Sequence, residues 1–456
     1  MKQLYPPFKS HIFNSHLLSN IKTIILAFSG GKDSVTLLHL LKQLQSESDF
    51  QLVAAYFNHH LRDDAMAEEI WIRETCRSLD VELVVGGADV ARFKQEEGLN
   101  LEHAASILRY QFLEEAASGY PQSCIATAHT KTDITETFFI KLLRGSGNRG
   151  LSTIYSKKGT RVIRPLLPVH QDEILGFLER NHIQYYQDST NLENHFQRNK
   201  IRNVLLPVAR EIEPNLDNHI YRSSLIFQQE YDYFQSLARE FLQEHLLFER
   251  VLPMAPLKSR HLALQRHILR EYVKLLKGDL LEIGFDHIEG ILAVEGTPEA
   301  LSLPGIDLAL DKDFLMPLDV SLPDYAVAIP YAEGVVDIPE IDTRLRIEIL
   351  DDFQKPADNE TIVLPYSPAG FPLLVRNPRQ GDWYVKINSQ FAQTVFEMIR
   401  GMGFPPPLRH ACPVIQDAAG QLIWVCGSPV ADAFKVTEAS KGPFVRITRE
   451  FPFQGD

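Results

Sequence analysis

Cysteine is scarce in this 456-residue chain. The four that occur, Cys76, Cys124, Cys412 and Cys426, are scattered, and no Cys-x-x-Cys pair exists. Zinc clusters, iron–sulfur sites and a disulfide framework are therefore not expected, and a reducing, cytoplasmic location fits best. Long apolar runs are missing too. Nothing approaches the ~20 residues of a membrane span, so no membrane partner is expected. The opening segment carries Pro6, Pro7, His11, Asn14 and His16 in place of a long apolar stretch and does not read as a signal peptide. Basic residues are the minority, 46 Lys and Arg against 59 Asp and Glu, for a net charge of −13. That balance argues against a protein that coats nucleic acid non-specifically.

The basic charge that is present is clustered. Residues 141–164 hold Lys141, Arg144, Arg149, Lys157, Lys158, Arg161 and Arg164 and no acid. Residues 195–210 hold Arg198, Lys200, Arg202 and Arg210, again with no acid. A basic stripe on an acidic body suits docking of one folded nucleic acid; the alternative is a solvated charged face.

With 45% hydrophobic residues the chain can bury a large core, and its length allows about two to four domains. Over residues 1–210, short apolar runs at 24–28, 52–57, 81–85, 124–128 and 183–186 alternate with helical patterns at 65–79, 101–117 and 133–143. This predicts an α/β domain, an open parallel sheet with helices on both faces. Ligands of such sheets sit beyond the carboxyl ends of the strands. The segments 29–34, 58–62 and 129–136 should therefore line one site. Residues 211–350 read as a mostly helical middle domain, with short strands after about 300. A Pro-bearing stretch, 355–372, reads as a linker, and 370–456 as a small α+β C-terminal domain.

The most informative segment is Ser29-Gly30-Gly31-Lys32-Asp33-Ser34, between the first strand and an amphipathic helix. Amide groups converge at such a helix start, and the helix dipole favours an anion. The glycines allow close approach of a phosphate. Asp33 would repel phosphates unless a divalent cation lay between, so the loop points to a nucleotide with Mg²⁺. It is not a Walker A loop, which needs glycine at Leu26 and Ser or Thr at Asp33. The alternative is a Gly-rich turn before an ordinary helix.

Three further constellations carry chemistry. After the fourth strand, His129 precedes Thr132, Asp133, Glu136 and Thr137; the two carboxylates share a helix face and can hold Mg²⁺ or an ammonium group. Alternatively, Thr132 caps the helix and Glu136 lies on the surface. Arg109, in Glu102…Arg109-Tyr110, can clamp an α-phosphate, or it can pair with Glu102 on the surface. Asp188-Ser189-Thr190-Asn191 leads to Arg198-Asn199-Lys200-Ile201-Arg202, where Arg198 and Arg202 stand one helical turn apart, placed for phosphates or an RNA base. A capped helix with a basic solvated side is the other reading.

Taken in order, these segments resemble one family, the tRNA(Ile)-lysidine synthases, N-type ATP pyrophosphatases of the PP-loop superfamily. The matching segments are Ser29 to Ser34, Asn58-His59-His60-Leu61-Arg62, Glu102…Arg109-Tyr110, His129…Asp133…Glu136-Thr137, Leu142-Leu143-Arg144-Gly145-Ser146-Gly147, Arg164-Pro165-Leu166-Leu167 and the Asp188 to Arg202 stretch. A weaker likeness covers Val375-Arg376, Arg379, Gly381-Asp382 and Pro407-Leu408-Arg409. The resemblance implies an adenine nucleotide alpha hydrolase-like catalytic domain. It also implies ligation of L-lysine to the wobble cytidine of isoleucine tRNA with a CAU anticodon, through an adenylated base, with ATP and Mg²⁺. Its residue roles are ATP binding at Ser29, Gly30, Gly31, Lys32, Asp33 and Ser34, with Asp33 as the Mg²⁺ ligand. Catalysis falls to Asp33, Arg109, His129, Asp133, Glu136 and Arg202, the two carboxylates of the fourth-strand loop being candidates to bind lysine. Contacts to tRNA are expected from Arg144, Arg149, Arg198, Arg202, Arg376 and Arg379, and a homodimer is left open.

Departures from the family pattern fall at Tyr56, Ser106, Thr130, Thr132 and Ile134, where His, Arg, His, Asp and Gln are usual. They leave Asp133 and Glu136 to do the carboxylate work and put weight on Arg109. The rival readings are another PP-loop tRNA-modifying enzyme, such as a thiolase needing paired cysteines, and a non-catalytic RNA-binding protein on the same fold.

Overall fold

The computed structural model describes residues 4–58, 65–186, 197–294 and 299–450, apart from 312, 320–322, 342, 366–369, 390, 403, 405, 439 and 441. His59, His60, Leu61 and Arg62 of the second-strand loop, and the Asp188, Ser189, Thr190 and Asn191 turn, lie outside the described residues. The chain divides into two compact units, Met1–Asp232 and Tyr233–Asp456.

In the first unit the apolar runs become the strands β1 (Thr23–Ala27), β2 (Gln51–Asn58), β3 (Glu82–Gly87), β4 (Ser123–Ala126), β5 (Lys157–Lys158) and β6 (Val162–Ile163). They form one sheet in the order β3-β2-β1-β4-β6-β5, parallel except for β5 at the edge. Side chains of a strand alternate between faces, and the core divides accordingly. Ile24, Leu26, Leu52, Ala54 and Tyr56 pack with α1 (Tyr5–Asn14), α2 (Lys32–Gln45), α3 (Ala65–Ser78) and, farther along the chain, a helix at Gln171–Arg180. Ile25, Val53, Ala55 and Ile125 face Leu113 and Ala117 on the opposite side. Between these lie α4 (Val90–Glu97), α5 (Leu101–Ser118), which carries Leu113 and Ala117, α6 (Lys131–Leu143) and α7 (Asn148–Leu151); the Gln171–Arg180 helix is α8. Both faces are covered, as the near-continuous apolar strands require.

The strand order reverses around β1, which lies between β2 and β4. The crevice at the carboxyl ends of β1 and β4 is the switch point at which ligands of open α/β sheets bind. The expected strand at 183–186 does not form; the sheet continues through β6 and β5. Ile183 and Tyr185 still pack against the core, but the Tyr186 amide donates to the Gly30 carbonyl at 2.9 Å instead of joining a ladder. Beyond it come α9 (Gln197–Lys200), a π-helical turn (Ile201–Leu205), α10 (Leu206–Ile212) and α11 (Leu216–His245).

In the second unit, α12 (Met254–Lys258), α13 (Leu262–Lys277) and α14 (Phe285–Ala293) accompany an antiparallel sheet. Its strands are β7 (Leu252–Pro253), β8 (Glu299–Leu303), β9 (Ile306–Asp311) and β10 (Phe314–Pro317). The remaining strands build two further four-stranded sheets. One joins β11 (Ala326–Ile329) to β15 (Leu373–Arg376), β18 (Val414–Gln416) and β19 (Leu422–Val425). The other joins β12 (Gly334–Ile338), β13 (Thr343–Leu350), β20 (Phe444–Glu450) and β14 (Thr361–Pro365). A short ribbon of β16 (Trp383–Tyr384) and β17 (Gln393–Thr394) precedes α15 (Val395–Gly401).

This pairing runs across the boundary expected near 350–370. Strands β11 to β13 belong with the C-terminal sheets, and β14 lies within the expected linker. The run Thr361–Pro365 buries Ile362, Val363 and Leu364, but it is an edge strand ending in proline. Such a strand tolerates Pro without losing a ladder bond and so resembles a linker in sequence.

Candidate functional site

The Gly-Gly loop opens α2 without a side-chain cap. Gly31 is the N-cap, with ψ 160° and no side-chain hydrogen bond, so the first-turn amides are left for an anion. Gly30 adopts φ +73°, which favours glycine. Ser34 Oγ donates to the Gly31 carbonyl at 2.9 Å and lies 3.3 Å from Ser29 Oγ, bracing the loop.

Asp33 follows in the first turn of α2. Its Oδ1 is buried and has no hydrogen-bond partner among the described residues. Burial pushes the carboxyl up to about 6; Lys32 opposes this, Asp133 and Glu136 reinforce it, and Arg202 opposes it. An orphaned carboxylate oxygen beside a helix start fits a Mg²⁺ ligand. Among the described residues no group of three or more His, Cys, Asp and Glu could hold a metal. Mg²⁺ does not need one, because it binds through one or two carboxylates together with phosphates and water.

At the exit of β4 the structure builds a second cluster. α6 starts at Lys131, so Thr130, not Thr132, is its N-cap. The Thr130 amide and hydroxyl donate to Asp133 Oδ2 at 2.8 and 2.9 Å. Asp133 Oδ1 accepts from Arg198 Nη2 at 2.7 Å. Glu136 is 0% exposed, not a surface residue. Its Oε2 accepts from Arg198 Nε at 2.8 Å and from Arg202 Nη2 at 2.9 Å, and its Oε1 from Arg202 Nε. All four carboxylate oxygens are thus engaged. The sequence offered these acids an ammonium group; the structure gives them two guanidiniums. It follows that Arg198 and Arg202, expected on RNA, are anchored in the crevice. Burial alone would raise Asp133, but Arg198, His129 and the Thr130 donors hold it below the usual range.

Burial pushes His129 down to about 4 against the pull of Asp133, with Arg164, Arg198 and Arg109 adding to the depression. The ring is therefore neutral at pH 7, with Nδ1 at 2.9 Å from Thr127 Oγ1. Arg109 is exposed and lies over Tyr110, its guanidinium 5.6 Å from the ring centre; Lys158 lies 5.2 Å from the same ring. Tyr56 is 4% exposed, which removes it as a base-stacking platform. Thr132 is buried, with a hydroxyl lacking a partner among the described residues. Arg164 opens the Arg164-Pro165-Leu166-Leu167 segment and ends the basic stretch of residues 141–164, but no role of its own was legible there. It follows β6 directly and is 7% exposed.

Of the remaining expected RNA contacts, Arg144 and Arg149 are exposed, Arg144 donating to Gln197 Oε1 at 2.6 Å. In the second unit Arg376 is a correction. It is 4% exposed and bonds Asp382 at 2.8 and 2.9 Å, Gln416 at 2.6 Å and the Asn377 carbonyl at 2.8 Å. It is a structural tie and not an RNA contact. Arg379 is exposed and lines a cavity of 710 Å³ with Asp324, Tyr325, Phe396 and His410.

The PP-loop domain family matches residues 5–209. Over nearly the whole chain, relatives share about a quarter of their residues. The tRNA(Ile)-lysidine synthase of Clostridioides difficile (strain 630) is 27% identical over 95% of this chain and 96% of its own. That of Geobacter sulfurreducens is 27% identical over 92% and 91%. Among solved structures, the U34-tRNA thiolase NcsA of Methanococcus maripaludis covers 50% of this chain at 15% identity with a TM-score of 0.43. A TILS C-terminal domain covers 28% at 21% identity with a TM-score of 0.27.

Two outcomes follow from the geometry. The folded-state value of Asp33, about 6 against an ordinary 3.8, means that ionising it costs stability. The cost is absent below the ordinary value, grows up to about 6 and is complete above. Asp33→Asn should therefore stabilise the nucleotide-free protein by roughly 3 kcal/mol at pH 8 and leave it nearly unchanged at pH 4, measured by thermal unfolding at both pH values. Arg376→Ala should destabilise by about 3–5 kcal/mol, because it strands Asp382, whereas Arg379→Ala should change stability by less than about 0.5 kcal/mol. Urea unfolding of the two variants checks this.

Proposed function

We infer that this chain, a member of the tRNA(Ile)-lysidine synthase family with its PP-loop domain at residues 5–209, is an ATP-dependent carbon–nitrogen ligase acting on isoleucine tRNA. It joins L-lysine to the wobble cytidine of the CAU anticodon, releases AMP and diphosphate, and changes codon reading from AUG to AUA. The observation that carries the site assignment is the meeting of Asp33, on the uncapped start of α2, with the carboxylate–arginine cluster at the exit of β4.

The loop from Ser29 to Ser34 holds the β and γ phosphates through its amides and hydroxyls. Asp33 is the residue that would hold Mg²⁺, whose charge would help neutralise diphosphate as it leaves. Arg198 and Arg202, fixed by Glu136 and Asp133, supply positive charge where the α–β bond breaks. The cytidine 2-keto oxygen attacks the α-phosphate, and diphosphate departs. The lysine ε-amine, having lost its proton, then attacks the ring carbon and expels AMP. His129, neutral and with Nδ1 2.9 Å from Thr127 Oγ1, can orient the amine through a hydrogen bond to Nε2, while solvent water takes the ammonium proton. Arg109, exposed beside the site, is placed to meet the adenylate or the RNA backbone.

A thiolase needs reactive paired cysteines. Here all four are buried and free, and burial pushes Cys76 up to about 11 and Cys124 to about 12. Arg144, Arg149 and Arg379 are the exposed arginines proposed to contact tRNA. The C-terminal sheets are proposed to read the acceptor arm, since methionine tRNA shares the CAU anticodon. Cytoplasmic location is part of this reading. Among the described residues no helix is long and apolar enough to cross a membrane.

The test is direct. With ATP, labelled lysine and a CAU isoleucine tRNA transcript, label should enter the tRNA with equimolar AMP, and a methionine tRNA transcript should stay unlabelled. Release of ADP, or label that does not require ATP, would rule the ligase out; no turnover at all would favour a binding protein on this fold.

A further inference from the structure

The ligase reading leaves open how the free amino acid is recognised by anything other than its amine. We propose that Arg164 is a substrate-binding residue whose guanidinium takes the α-carboxylate of L-lysine, an inference that rests on the ligase reading above.

The first support is position. β6 ends at Ile163, so Arg164 is the first residue beyond its carboxyl end. β6 is hydrogen-bonded to β4, and the Thr127 amide donates to the Ile163 carbonyl at 2.9 Å. Arg164 therefore leaves the sheet beside the Thr127–His129 exit, on the edge where ligands of this fold gather.

The second support is its bonding. Arg164 is only 7% exposed, and it has no carboxylate partner among the described residues. Nη1 donates to the Tyr155 carbonyl at 2.6 Å, and Tyr110 lies close enough to act on the charge of the guanidinium. Nε is buried without an acceptor among the described residues. A buried cation left without an anion is costly. The edge of the fork that carries Nε is one of the two that can meet a carboxylate with two parallel bonds. Arg109 and Lys158 lie against the ring of Tyr110, so three cations converge on one tyrosine.

The chemistry narrows the occupant. The triphosphate belongs to the Gly-Gly loop. RNA phosphates are met by exposed side chains such as Arg109 and Lys158, and the backbone of a polynucleotide cannot reach a guanidinium only 7% exposed. A free amino acid can. With its carboxylate on Arg164, the flexible four-carbon stem carries the ε-amine toward His129, whose electrostatic surroundings include Arg164. A site that recognises only an amine would accept any diamine, whereas a buried donor that must be satisfied rejects a ligand lacking the acceptor.

The experiment compares lysine with cadaverine, which is lysine without the carboxylate, as labelled substrates of wild type and Arg164→Ala. Wild type should use cadaverine at least about 100-fold less well in kcat/KM. Arg164→Ala should lose about 100-fold on lysine and stay within about threefold on cadaverine, with ATP-dependent adenylation of the tRNA retained in the absence of lysine. Arg164→Lys should recover part of the lysine activity. Equal losses on both amines, an increase confined to the KM for tRNA, or a wild type indifferent to the carboxylate would each overturn the assignment. If Arg164→Ala fails to fold, Arg164→Gln serves for the same contrast. A wild type that labels tRNA with neither amine would sink the ligase reading and this inference with it. That result is distinct from every outcome in which wild type turns over lysine.

Discussion

A fully buried glutamate holding two arginines is the interaction on which the site depends. Glu136 has no exposure to water, and its two oxygens are shared between Arg198 and Arg202. A lone buried carboxylate would be protonated or would unfold the region; with two guanidiniums it fastens the 197–205 segment onto α6. Asp133 extends the cluster while closing the capping box of the same helix. Buried ion pairs of this kind add little net stability. Their value here is geometric: two cations are held at the exit of β4, beside the start of α2. The π-helical turn Ile201–Leu205, which contains Arg202, is the sort of irregularity that recurs at functional sites.

The arrangement also accounts for the tension at Asp33. Its carboxylate is buried near two other acids, and its Oδ1 lacks a partner among the described residues. A protein selected for stability alone would not retain it. An anion with its counter-cation turns the same group into a ligand, which is why local strain and binding capacity coincide. Arg164 is the matching case of opposite sign, a buried cation that lacks an anion among the described residues. The two residues lie beyond neighbouring parts of one sheet edge, at the ends of β1 and β6.

Much of this was legible in the residues. The central strands announced themselves as apolar runs, and the Gly-Gly loop declared the first turn of α2. The paired acids were found, but their partners were not. Sixty-odd residues separate Glu136 from Arg202, and only folding reveals that the two motifs satisfy one another. Read apart, the acids looked free for lysine and the arginines free for RNA. Arg376 misled for the same reason, since its pairing with Asp382 depends on a turn. Thr132 was credited with a cap that belongs to Thr130, because the helix begins two residues earlier than Asp133. The strand at 361–365 was hidden by a proline that an edge strand can accept.

The central claim is that Glu136 serves the adenylation step by positioning arginines and does not bind the lysine amine. Glu136→Gln, checked for folding, separates the two roles when adenylation of tRNA is timed without lysine and the KM for lysine is measured with it. The account predicts an adenylation rate lowered by about 10²–10³-fold and a KM for lysine within about threefold of wild type. A normal adenylation rate with a strongly raised KM for lysine would contradict it.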